Sequence, residues 1–190
     1  MTGAAAGGPI DAIGPREVLA FWRAAGPDQW FKKDEAFDSA IAARFAALWH
    51  AAATGSFVQW EETAEGALAL AIVLDQFPRN MFRGDARAYA SDPLARAVAE
   101  RARARGFDRQ LPHRERRFLY LPFMHSEDLA DQERSLALAR GYGDDEFASY
   151  AERHAAIIRR FGRFPHRNAI LGRATTPEEQ AFLDGGGFAG

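Results

Sequence analysis

No cysteine occurs anywhere in the 190 residues. Disulfides, thiolate metal sites and a cysteine nucleophile are thereby excluded, and nothing points to an oxidising compartment. Lysine is nearly as scarce, since all but Lys32 and Lys33 of the 24 basic side chains are arginine. In a chain this rich in alanine, that bias reads as genome composition and not as function. No apolar run approaches the ~18 residues of a membrane span, so no membrane partner is expected. The opening residues, MTGAAAGGPIDAIG, have neither a basic n-region nor an apolar h-region. They read as a flexible segment over 1–14 and not as a secretory signal, and the cytoplasm is the expected location. Sustained period-2 alternation and heptads are missing. So are the Walker A, G-x-G-x-x-G, G-x-S-x-G and H-E-x-x-H patterns.

What is present is a composition, 47% hydrophobic and 26% charged, that suffices for a single domain over 1–190 with its own core. A net charge of −2 gives no overall field for nucleic acid. The charge is nevertheless blocked: −5 over 1–78, +6 over 79–117, −6 over 118–152, +6 over 153–174 and −3 over 175–190. Blocks of alternating sign read either as packed helices that neutralise one another or as an anion-attracting surface. The basic run 101–117 has little aromatic interleaving and no nucleic-acid motif, so a nucleic-acid partner is not expected.

Helical periodicity recurs along the chain. Pro15 suits the first turn of a helix over 15–25. Asp34 is placed to cap a second helix that runs to Ala53. A third opens at Glu61 or Thr63. Its Leu68, Leu70, Ile72, Val73 and Leu74 leave no polar face, which marks it as central, and Pro78 is expected to end it. Ser91-Asp92-Pro93 starts a fourth, with Leu94, Val98 and Ala102 as its apolar face. A short element from Leu111 is expected to close at Pro122. The next helix opens near His125 or Ser126. Asp144 begins a helix to Phe161, with His154 on its apolar face as a core histidine. Thr176 caps the last, before a flexible tail over 185–190. The total is seven or eight helices and an all-α fold.

Two helix endings stand out: Phe77-Pro78-Arg79-Asn80 and Phe164-Pro165-His166-Arg167-Asn168. At the first, Asp75, Gln76, Arg79, Asn80 and Arg83 read either as a guanidinium pair aimed at a carboxylate or phosphate, or as caps for open carbonyls. At the second, Arg163, His166, Arg167 and Asn168, with Arg173 nearby, read as an anion pocket or as partners of the acidic 118–152 block. His125-Ser126-Glu127-Asp128 sets a histidine beside carboxylates at a helix start, where His125 and Glu127, with His166, suit acid/base work. Ser126 reads as a cap. No H-x-x-x-H or similar spacing is present, so no metal and no cofactor is expected.

The strings LALAIVLDQFPRNMFRG, LPFMHSEDLADQERS and FGRFPHRNAILGR, with WFKKDEAFD earlier and TPEEQAFL later, resemble the bacterial family called domain of unknown function 924. The likeness runs from about Pro15 to Leu183. It implies a compact tetratricopeptide-like superhelical array and carries no established activity. The expectation is a soluble helical protein whose two corners and HSED segment converge on a small anionic ligand. The alternative is a protein or peptide interaction module. Neither reading fixes a reaction, enzyme status or an oligomeric state.

Overall fold

Side chains cap the starts of the longer helices one residue ahead of the periodic run in five cases. Asp34 accepts from Phe37 N, Thr63 from Gly66 N, Asp144 from Phe147 N and Thr176 from Glu179 N. Each satisfies a donor that has no partner inside its helix. The computed structural model describes residues 13–188, so the expected flexible segment 1–14 lies almost wholly outside them. Among the described residues there are ten α-helices and no strand, against the expected seven or eight helices. Three of the ten are single turns of four residues. No helix among them is long and apolar enough to cross a membrane.

The chain packs as two units. The first takes the chain up to Arg83 together with Arg87–Leu119. It holds α1 (Pro15–Ala25), α2 (Pro27–Trp30), α3 (Glu35–Ala53), α4 (Ala64–Met81), α5 (Asp92–Ala104) and α6 (His113–Arg116). Helix α4 is its centre, buried continuously from Gly66 to Pro78 and packed against α1, α3 and α5. Phe77 stacks on Phe45 at 4.7 Å and meets Trp22 edge-on at 5.8 Å. Trp22 stacks in turn on Trp30. Such aromatic pairs add to their burial energy.

Pro78 does not end α4, which continues to Met81. A proline there cannot donate to the Leu74 carbonyl. The oxygen is satisfied instead by Ser91 Oγ at 2.6 Å, and the same hydroxyl accepts from Trp49 Nε1 at 3.0 Å. An external donor thus replaces the missing rung. Helix α5 buries Ala95, Val98, Ala99 and Ala102, whereas Leu94 is exposed. Its inner face is therefore made of smaller side chains than expected.

The second unit comprises Gly84–Ala86 and the chain from Tyr120 onward. Its helices are α7 (Leu121–Met124), α8 (Leu129–Tyr142), α9 (Asp145–Phe161) and α10 (Pro177–Asp184). Pro122 opens α7, where it was expected to close an element. Asp128 caps α8 by accepting from Ala130 N, a role expected of His125 or Ser126. Ser126 Oγ instead donates to Asp131 and accepts from Asp128 N. Helices α8 and α9 form a hairpin, and α7 packs on both. Residues 185–188, expected as flexible tail, turn back against α10 through Gly187 N to Phe182 O at 2.9 Å.

Candidate functional site

At the first corner, α4 carries its polar end to the edge of the first unit's core. Asp75 is fully buried and accepts from Gln76 Nε2 at 2.6 Å. Arg79 donates to the Asp75 carbonyl at 2.7 Å and makes a bidentate pair with Asp92 at 2.8 and 2.9 Å. Burial alone would lower the Arg79 pKa, but the charges of Asp75 and Asp92 outweigh it and hold the guanidinium protonated. Asn80 and Arg83 both reach across to Asp38 on α3, at 2.8 Å and at 2.5 and 3.0 Å. The five residues therefore work in two sets of contacts, one around Asp75 and Asp92 and one on Asp38, which together hold three carboxylates and two guanidiniums.

The second corner follows α9 in the second unit. Arg163 grips Glu179 of α10 at 2.6 and 2.8 Å. The Arg163 hydrogen bond, the Thr176 N–H and Asn168 outweigh burial and push Glu179 down to about 2. Asn168 is fully buried, donating to Glu179 and accepting from Arg173 Nε at 3.0 Å. Arg173 pairs bidentately with Glu127 at 2.6 and 3.0 Å. Glu127 also accepts from Phe164 N at 2.8 Å. Burial would raise the Glu127 pKa, but Arg173, the Phe164 N–H and the Arg167 charge hold it below the usual carboxylate range. The HSED segment and the second corner are thus tied together by one carboxylate.

Arg167 is buried and lies over the face of Phe164, 4.5 Å from its centroid, with Nη1 donating to the His125 carbonyl at 3.0 Å. Three imidazoles surround the same region. His154 is 5.6 Å from the Phe164 ring and 6.4 Å from His125, and His166 is 5.6 Å from Phe164. His154 Nδ1 donates to the Tyr150 carbonyl at 2.8 Å, so in the neutral ring Nε2 is the unprotonated nitrogen. Burial first, and then the charges of His125, Arg167 and His166, push its pKa down to about 3. His154 is therefore neutral at physiological pH.

Of the predicted site residues, His125, Glu127, Arg163, His166, Arg167 and Asn168 come together in the second unit, and Asp75, Gln76, Arg79, Asn80 and Arg83 in the first. Sequence reasoning missed Glu179 and Phe188 as members of the second cluster. Glu179 was legible only as the acid three residues after a capping threonine. Phe188 was hidden behind three glycines. Among the described residues, no group of three or more His, Asp or Glu is placed to hold a metal ion. In the 101–117 run, Arg101 is bidentate to Glu61, Arg105 donates to the Glu61 carbonyl and Arg116 to the Leu111 carbonyl. A separate open groove of about 370 Å³ in the first unit is lined by Arg23, Trp30, Pro112, His113 and Arg114.

The described residues define an all-helical protein. The chain belongs to the bacterial proteins of unknown function designated DUF924, whose profile matches residues 18–187. A solved structure of a protein of unknown function from Agrobacterium tumefaciens, ATU0120, is 49% identical with a TM-score of 0.87, covering 90% of this chain and 97% of that one. Comparison with curated proteins gives no match.

Proposed function

We propose that the second unit binds a small anion, a carboxylate or a phosphate, beside Phe164. Arg167 holds the charge, and His125 or His166 moves a proton to or from the ligand. The observation that carries this reading is the gathering of one buried guanidinium and two imidazoles, His154 and His166, around the buried Phe164 ring, with His125 beside His154. Arg163 and Arg173 are each bidentate to a carboxylate, and Arg167 donates to the His125 carbonyl. A buried guanidinium attracts an anion more strongly in a site of low dielectric. Glu127, Arg163 and Asn168 act as positioning residues that fix Phe164 and Arg167. The first corner lies outside this reading, because three carboxylates against two guanidiniums do not suit an anion.

A second reading follows from the open groove in the first unit. Trp30, His113 and Arg114, with exposed Phe31 next in the chain, suit an acidic peptide laid along a helical surface, whereas Arg23 in the same groove is already bidentate to Glu115. The tetratricopeptide-like array implied by the family resemblance would serve that role.

One titration series separates the two. Amide spectra of the ¹⁵N-labelled chain are followed with inorganic phosphate, with acetate and with an acidic peptide. The anion reading expects saturable shifts at Phe164, His166 and Arg167. It also expects an affinity loss of about tenfold or more in Arg167→Ala, the scale of a charged hydrogen bond. His166→Gln serves as the second variant should Arg167→Ala fail to fold. Shifts confined to Trp30, His113 and Arg114 with the peptide, and none with the anions, overturn it in favour of the groove.

A further inference from the structure

The segment after α10 is shaped to fold back on the unit it belongs to. Gly185, Gly186 and Gly187 donate their N–H groups to the carbonyls of Ala181, Leu183 and Phe182 at 3.1, 3.1 and 2.9 Å. Gly186 has φ +77°, and a Cβ on Gly187 would lie 2.5 Å from the Phe182 oxygen and 2.6 Å from its ring. Only glycine lets the backbone lie this close to α10. The three glycines therefore encode a docked position.

What they deliver is Phe188. Its ring meets His154 edge-on at 4.5 Å and His166 at 5.5 Å, and it packs against Ile157, Ile158 and Phe164. The walls of this box are held by other contacts. His154 is anchored on the Tyr150 carbonyl, and the Phe164 backbone is anchored by Glu127. Phe164 is fully buried, whereas Phe188 stays partly exposed at the rim. The receiving surface thus has anchors of its own, and the ring that fills it is carried by the glycine turn that follows α10.

We propose that Phe188 occupies the aromatic subsite of the anion site, and that the ligand is a planar aromatic ring bearing a carboxylate or a phosphate. The ligand's ring takes the place of Phe188 between His154 and His166, while its anionic group reaches Arg167. This rests on the anion site proposed above and adds the ring to it. Docked Phe188 and bound ligand exclude each other, so apparent affinity falls in proportion to the undocked fraction. A ringless anion does not compete with Phe188 and is indifferent to it.

The test is calorimetric titration of the full chain and of Phe188→Ala with four probes: benzoate, phenyl phosphate, acetate and inorganic phosphate. A site closed by Phe188 about 90% of the time gives a gain of roughly tenfold for benzoate and phenyl phosphate in Phe188→Ala. Acetate and phosphate stay within about twofold on the same argument. Gly187→Ala, which keeps the ring but clashes with Phe182, gives a gain in the same direction. It also guards against reading a folding defect of Phe188→Ala as an effect on the site. An equal change for all four probes, or weaker aryl binding in both variants, makes Phe188 a plain core residue and overturns the subsite. If acetate and phosphate bind but no aryl gain appears, the subsite alone fails. If none of the four binds any form of the chain, the anion site fails with it.

Discussion

Gly66 sits in the first turn of α4, where a Cβ would lie 2.0 Å from the Trp60 carbonyl oxygen and 2.9 Å from Thr63 Oγ1. Alanine is the better helix former by about 1 kcal/mol, yet here it must push backbone aside. Gly66→Ala is therefore expected to destabilise the chain by about 1–3 kcal/mol, the usual cost of overpacking, read as a lower urea midpoint with unchanged slope. Nothing in the sequence around Gly66 marks it, because the clash is with a carbonyl in the preceding turn. Caps are different. Asp34 and Thr176 were legible as caps because each bonds to an amide three residues on, while Asp144 was legible as a helix start and Thr63 as one of two openings with Glu61. His154 was legible for a related reason. Helical spacing alone puts it on the buried face of α9, and burial is the first cause of its depressed pKa.

At the scale of elements, α4 is held through its proline by a residue 17 positions away. Ser91→Ala leaves the buried Leu74 carbonyl and Trp49 Nε1 without their shared partner, at a cost of about 1–3 kcal/mol. In a Pro78→Ala background the new N–H supplies the Leu74 oxygen, so the same Ser91→Ala change should cost measurably less. Chemical denaturation of the four chains of this double-mutant cycle checks it, and strict additivity would rule out the relay. This explains why helix starts were readable and the end of α4 was not. A start is set by neighbours in sequence, whereas this end depends on a hydroxyl brought in by tertiary packing. One member of the expected α5 face fails for a kindred reason. Leucine weighs more than alanine in any hydrophobic pattern, yet Leu94 is exposed while Ala95 and Ala99 are buried beside the expected Val98 and Ala102. The polar corners were visible as clusters, but their partners were not. Arg83 finds Asp38 at a separation of 45 residues, and Arg173 finds Glu127 at 46.

Over the whole molecule, the alternating charge blocks resolve largely into pairs inside each unit. Arg159 meets Glu133 and Glu152, Arg163 meets Glu179, and Arg101 meets Glu61. The exposed pairs among them, those of Arg159, add little stability each. The pH dependence of folding therefore rests on the buried groups. His154 has a folded pKa of about 3 against 6.5 for the ordinary side chain, so the unfolded chain binds its proton first. Its contribution is complete above about pH 6.5 and is lost as pH falls toward 3, by up to about 1.4 kcal/mol per pH unit. Glu179 adds a loss of the same sign in a lower window, from about 4.5 down to 2. Melting temperatures between pH 7 and 4.5 should fall for the wild type and fall less for His154→Gln, which keeps a donor for the Tyr150 carbonyl. Parallel curves would show that His154 is not the titrating group. The aromatic residues also divide along the chain. All four tryptophans, Trp22, Trp30, Trp49 and Trp60, are buried in the first unit, while the second carries Tyr120, Tyr142 and Tyr150. Tryptophan emission therefore follows the unfolding of the first unit alone, whereas far-ultraviolet ellipticity sums the helices of both. The chain thus carries its own pair of optical probes for whether the unit holding the histidine cluster melts with its neighbour or apart from it.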